Sequence, residues 1–484
     1  MRILIQCGDH FENQIRIKTL VEELLCFGYE PYVLVYSSHC GRLLLNSGAK
    51  IIALNDYVSK IDISTPLLNK EIDYGIKYAD IVEFEQLRRP MIMWPGQIKK
   101  TLLSVKKHYT AIKKIIKKYN PKFIFIWNGY TGYVANILRI YVNRFNIPAA
   151  YMERGILKDS LFVDNNGVNG ASSLSNLSPE YFDMIDLSKE DHAYIKKIFS
   201  PKKIKNIENI KKIFFPLQVQ YDTNIVMYSQ FSSMREAFLK IYNKLNDNGV
   251  KFLLRPHPEE EKNICLNIPM YKNVTVTSDK TLREWLEWSD AVVTINSTVG
   301  MEAIIAGRPV IAMGNSIYSS AGLTFKLNDE IKIFDSNKIY QRLIKYFKYL
   351  LENNILIANK ENNCDVIKKC MNLLIKNKTY NYNKERLQIK PLMFDGIDFA
   401  DVYLDIPLNT CIDTTYRDHK KPIDIAWIKK IVSQNTGISN YTIRSVDHFN
   451  KSSNFSVKVV SESLNIKKDF NYDMTIDIYG NIIQ

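Results

Sequence analysis

Residues 291–315 read AVVTINSTVGMEAIIAGRPVIAMGN, and the expected fold class follows from their pattern. Ala291 to Ile295 is a short apolar run suited to a buried strand, STVGMEAIIAG reads as a helix, and RPVIAMG as a second strand. Strand, helix, strand in this order predicts parallel pairing with helices packed on the sheet, and such sheets bind ligands at the carboxyl ends of their strands. The turn itself carries chemistry. Ser297 and Thr298 arrive at a helix start, where free backbone N–H groups and the helix dipole favour a phosphate. Gly300 allows close approach in the first turn, and Glu302 stands within reach of a ribose. An N-cap with tight helix packing also accounts for this turn, although capping needs one hydroxyl and two are present.

Upstream, residues 252–263 read FLLRPHPEEEKN, placing Arg255 and His257 where another apolar strand ends. The two prolines hold the His257 backbone in a narrow range, which gives either a stiff exit loop or an imidazole aimed at a ligand. His257 and Ser297 follow strands of the same expected sheet, so both tips fall on one rim. The runs KIFFPLQ, NIVMYSQ and NVTVTS complete this unit together with a helix near 232–247 and the helix TLREWLEWS. Gln218, Asp222 and Ser229 border the same rim. An earlier unit repeats the alternation: RILIQC, a helix near 13–27, YVLVYS, a helix over 99–119, KFIFIWN, a helix near 131–145, and AAYME. Beyond 380 one helix (IDIAWIKKIVSQ) precedes alternating strands. The expected organisation is therefore α/β: Rossmann-like units over 1–200 and 201–380 facing a cleft, and a small α+β appendage over 381–484.

The totals fit a globular protein of about three domains: 484 residues, 46% hydrophobic and 24% charged. A formal charge of +14 favours an anionic partner without selecting one, and no nucleic-acid recognition motif accompanies it. Seven scattered cysteines without a Cys-x-x-Cys pair argue against a disulfide framework or a zinc site. Neither a signal peptide nor a run of about 18 apolar residues is read, so the expected location is cytoplasmic. The stretch QIKKTLLSVKKHYTAIKKIIKKYN repeats lysine pairs beside Leu102, Leu103, Val105, Ile112, Ile115 and Ile116. That pattern describes a core helix with a solvated basic face, or a peripheral contact to an anionic membrane. The chain has no Gly-x-x-x-x-Gly-Lys-Ser/Thr and no Gly-x-Gly-x-x-Gly loop, which disfavours triphosphate hydrolysis and dinucleotide binding.

Taken together, RPHP, INSTVGMEAIIAGRPVIAMGNSIYSSAGLTF, FPLQVQYDTN and MERGILKDSLFVDNNGVN resemble the capsule polysaccharide biosynthesis family that includes bacterial Kdo transferases. The resemblance covers about residues 120–330. It implies a GT-B type fold, a CMP-activated ulosonic acid as donor, a glycan or glycolipid acceptor, and neither metal nor cofactor. It also implies that His257 contacts the CMP phosphate, that Ser297 and Thr298 hold it, and that Glu302 lies near the ribose; Arg255, beside His257, is a further candidate on the donor side.

Glycosyl transfer requires a carboxylate, and the first unit offers two: Glu153 at the end of AAYME, and Asp164 before an Asn-Asn-Gly turn. Asn128 and Gly129 line the acceptor side. Arg154 departs from the acidic residue common at that position in sialyltransferase-like motifs. In a retaining reaction, as the resemblance implies, Asp164 is the nucleophile and Glu153 the acid/base; in an inverting one Glu153 is the base and Asp164 a turn residue. A teichoic-acid type polyol-phosphate transferase shares Arg-x-His-Pro but usually has Asp-Tyr-Ser-Ser where this chain has Ile-Asn-Ser-Thr. A nucleotide-binding assembly protein without turnover is the reading from another class.

Overall fold

The computed structural model describes residues 1–7, 11–62, 81, 95–205, 210–219, 222–231, 234–246, 249–258, 271–327, 334–357 and 363–376, plus the backbones of five short strands. In chain order the strands of the first sheet are β1 (Arg2–Gln6), β2 (Glu30–Val35) and β3 (Lys50–Ala53). After the two-residue pair β4 (Ile72–Asp73) and β5 (Ile76–Lys77) come β6 (Phe123–Trp127), β7 (Ala149–Arg154) and β8 (Leu161–Asp164). The second sheet holds β9 (Lys212–Pro216), β10 (Lys251–Arg255), β11 (Val274–Val276), β12 (Ala291–Thr294) and β13 (Val310–Ala312).

Both sheets are doubly wound. The first has the order β14-β8-β7-β6-β1-β2-β3, where β14 is Ile355–Leu356, and the second β11-β10-β9-β12-β13. Their central strands are buried end to end: every residue of β6 and β12 is buried, as strands covered on both faces require. The helix Pro95–Tyr119 turns Val105, Tyr109, Ile112, Ile115 and Ile116 into the core and leaves Lys114, Lys117 and Lys118 exposed. Its apolar stripe is therefore spent on folding. Chain order reverses between β1 and β6 in one sheet and between β9 and β12 in the other, and each reversal opens a crevice at the strands' carboxyl ends.

Those carboxyl ends face one another. A Cβ on Gly170, in the loop after β8, would lie 2.7 Å from the Tyr228 ring of the second unit. Ser320 Oγ, after β13, donates to Leu174 O at 2.9 Å. One buried cluster includes Ile124 of the first sheet with Phe214 and Leu253 of the second. The helix Ser336–Asn353 fastens the back of this joint: Arg342 grips Asp183 at 2.6 and 2.8 Å, and Phe347 stacks on Phe199 at 3.9 Å. This is the two-unit α/β arrangement of the GT-B type.

Three features depart from the alternation read in the sequence. NIVMY is helical, over Thr223–Tyr228, because Asp222 caps it by accepting from Asn224 N and Ile225 turns inward. β8 runs antiparallel to β7, in a sheet whose other central pairings are parallel. After the helix Ser336–Asn353 the chain returns to the first sheet: β14 pairs with β8, and Val366, Ile367, Cys370 and Met371 of the helix Asn363–Lys376 bury against that sheet's outer face. Residues 355–376, grouped by sequence with the second unit, thus complete the first. In the appendage, β15 (Thr442–His448), β16 (Asn454–Val460) and β17 (Asn471–Asp477) form an antiparallel meander; the expected helix IDIAWIKKIVSQ lies outside the described residues.

Candidate active site

The rim of the first sheet presents Glu153. It is the fifth residue of parallel β7, so its side chain stands at the carboxyl end, half-buried. Asn128 Nδ2 donates to its Oε2 at 2.8 Å and the Arg154 N–H to its Oε1 at 3.0 Å. Burial holds the Glu153 carboxyl above the usual carboxylate range; the two hydrogen bonds pull it back, while the charge of Asp222, from the second unit, pushes it further up. A half-buried carboxylate with a raised pKa and a like charge across the joint suits a group that must take up a proton. Gly155, two residues on, serves the turn: a Cβ there would fall 2.1 Å from Ser160 Oγ.

Asp164 is elsewhere. Antiparallel β8 carries the chain away from the rim, pairing Glu153 with Phe162 and Tyr151 with Asp164. Asp164 thus lies two residues, about 7 Å, behind Glu153 along the sheet. It is 2% exposed and accepts from six donors: Asn166 N, Gly167 N, Ser172 Oγ, Ser173 N, Ser173 Oγ and Asn354 Nδ2. Burial raises its pKa and those bonds oppose the rise. With its lone pairs engaged this side chain organises the loop 165–173 and anchors the returning chain.

The opposite rim carries the basic residues and a helix start. Arg255 closes β10 and His257 follows it, half-buried between Pro256 and Pro258. Two strands away, about 10 Å across β9, Ser297 caps the helix Thr298–Ile305, its Oγ accepting from Val299 N at 3.3 Å. Thr298 is exposed in the first turn. Arg255 also acts on Glu302: partial burial raises the Glu302 carboxyl and the Arg255 charge lowers it, while the Arg255 Nε is buried without a hydrogen-bond partner. Arginine, histidine, capped helix start and Glu302 therefore share one rim, as the motif spacing requires.

Three other residues serve to hold the rim. Gly300 makes room for Tyr318, whose hydroxyl a Cβ would meet at 2.3 Å and which donates to Ser297 O at 2.5 Å; its small size is explained by this packing. Gln218 is buried and exchanges hydrogen bonds with Asn296, Nε2 to Oδ1 at 3.0 Å and Asn296 N to Gln218 Oε1 at 3.3 Å. Ser229 spends its hydroxyl on Ile225 O at 2.8 Å. Asn296 itself, donating to Asn224 O and Asn315 O, is the knot of these loops. Sequence reading passed over it and over Tyr318; an amide directly before a capping serine was the one available signal for Asn296, and nothing local marks Tyr318.

These features define an α/β protein with a phosphate-suited rim on one sheet set against a carboxylate on the other. Residues 188–358 match the family described as capsule polysaccharide biosynthesis protein, which bears out the resemblance read from the motifs and supports a role in glycan assembly. Among curated relatives, protein FixF of Sinorhizobium fredii is 24% identical over 55% of this chain and 68% of its own length. The capsule polysaccharide modification protein LipB of Neisseria meningitidis serogroup B is 23% identical over 41% of this chain and 47% of its own. Similar solved structures include a β-Kdo 2,7 transferase, KpsC of Thermosulfurimonas dismutans, at 16% identity and TM-score 0.35, covering 48% of this chain and 79% of that one. Among the described residues no helix is long and apolar enough to cross a membrane.

Proposed function

We propose that this chain is a glycosyltransferase of bacterial surface-polysaccharide assembly, moving Kdo or a related ulosonic acid from a CMP-activated donor to a hydroxyl of a glycan or its lipid-linked precursor. The observation that carries the reading is the opposition of Glu153 on one rim to Arg255, His257 and the Ser297 helix start on the other. Glu153 takes the acceptor hydroxyl proton, the acceptor oxygen bonds to the anomeric carbon, and the bond from that carbon to the phosphate oxygen breaks with its electron pair leaving on CMP. Arg255, His257 and the first-turn amides beside Thr298 stabilise that charge in place, and the scheme uses no metal. With Asp164 engaged by six donors, a single displacement with inversion is favoured over a covalent sugar on that residue.

The test is incubation of the full chain with CMP-Kdo, CMP-sialic acid and CDP-glycerol separately, in extracts containing capsular precursors, following CMP. Release from CMP-Kdo or CMP-sialic acid supports the reading. Release from CDP-glycerol alone would make the protein a polyol-phosphate transferase, and CMP binding without release from any donor would make it a binding protein.

A further inference from the structure

The loop after β6 is fixed more firmly than lining an acceptor requires. Asn128 and Gly129 both have left-handed backbone, with φ of 57° and 87°, and a Cβ on Gly129 would sit 2.7 Å from the Tyr151 ring. Gly129 O accepts from Arg139 Nε at 3.2 Å. The same guanidinium donates to Asn136 Oδ1 at 2.9 Å and lies 4.3 Å from the centre of the Tyr130 ring. Arg139 is buried ten residues further on, at 8% exposed, and touches the loop rather than the rim.

This scaffold decides which way the Asn128 amide faces. Its Oδ1 accepts from Tyr130 N at 3.2 Å, which leaves Nδ2 to donate to Glu153 Oε2 at 2.8 Å. Turned over, the amide would set its oxygen against the carboxylate and its NH₂ against an N–H, losing both bonds. We propose that Asn128, locked by Arg139 through the Gly129 turn, is the positioning residue that fixes the Glu153 carboxylate and favours its charged form. This rests on the reading of Glu153 as the base, since a base is what such an arrangement serves. The groups acting on Glu153 are Asn128, Arg154 on its own strand and Asp222 from the second unit. Asn128 and Arg154 support the charge, and burial and Asp222 oppose it.

The experiment follows Glu153 directly, by NMR titration of the full chain labelled with ¹³C at glutamate side-chain carboxyls, the resonance being assigned by its loss in Glu153→Gln. Asn128→Gly removes the amide while tolerating the left-handed backbone, and Arg139→Lys loosens the turn without removing charge. The Glu153 midpoint should move to higher pH in Asn128→Gly and, by less, in Arg139→Lys. Turnover below the midpoint should fall about tenfold for each pH unit of that movement. An unmoved midpoint in Asn128→Gly would overturn the proposal. A moved midpoint with an unchanged turnover profile would keep the positioning role and remove Glu153 as the base, so the two readings fail separately.

Discussion

In the first sheet, where chain order reverses between β1 and β6, the side chain of Gln6 accepts the Trp127 N–H at 2.8 Å; in the second, between β9 and β12, Gln218 exchanges two hydrogen bonds with Asn296. Gln6 directly follows the paired Ile5 and Phe125, whereas Gln218 and Asn296 each lie four residues beyond the paired Phe214 and Val292, after the ladder has ended and the strands diverge. A side-chain amide then supplies what the departing strand no longer offers. Beyond that shared device the two rims part. The first offers the Glu153 carboxylate held by Asn128, the second Arg255, His257 and a helix start. The scaffold sets where each crevice opens, and residues at the strand ends and in the turns just beyond them set its chemistry.

The largest effect is expected at Asp164, which lies behind the rim. Asp164→Ala should destabilise the fold by roughly 3 to 5 kcal/mol, because it leaves six donors to a buried carboxylate without an acceptor. Denaturant unfolding reads this. Full stability with abolished turnover would instead return Asp164 to catalysis. His257→Ala should raise the barrier to CMP release by about 2.7 to 4 kcal/mol with unfolding unchanged, since the residue is half-buried at the rim and is proposed to stabilise the departing charge; a variant that releases CMP at the wild-type rate would remove His257 from that proposed role.

Smaller effects are expected at two other places. Gln218→Leu should cost about 1 to 3 kcal/mol by leaving the Asn296 groups unpaired, and should weaken CMP binding measured by calorimetry through the Ser297 cap. Unchanged stability and affinity would mean that the amide bridge holds nothing together. Weakest is the lysine face of the helix Pro95–Tyr119. Because its apolar stripe is buried, any membrane contact is electrostatic, worth about 1 kcal/mol for each of Lys114 and Lys117 near an anionic surface. Sedimentation with anionic vesicles, lost in high salt and absent with neutral ones, is the expected result; equal sedimentation with both would remove the contact.

The second unit was legible because its chemistry is local. Strand, turn and helix between Ala291 and Ile305 are contiguous, so the apolar run and the paired hydroxyls place Ser297 and Thr298 at the rim without long-range knowledge. Arg255 and His257 follow by the same logic. The first unit was less legible because pairing direction is not local. LFVD has the pattern of a strand whichever way it runs, and only the antiparallel ladder with β7 and the returning chain at Asn354 bury Asp164 behind Glu153. Gly300 misled in a similar way, its small size being fixed by Tyr318 from eighteen positions downstream.

If the acidic rim supplies the base for a departure stabilised on the basic rim, the pH dependence of CMP release from CMP-Kdo will differ between wild type and Glu153→Gln. Because the Glu153 pKa is raised, the carboxylate is charged only above that raised value, so wild-type turnover should fall as pH drops through a limb lying above the usual carboxylate range. Glu153→Gln should lose about 10²- to 10⁴-fold in turnover and the limb with it, while still binding CMP. A Glu153→Gln protein that keeps the wild-type rate and the same acid limb would show that Glu153 is not the base.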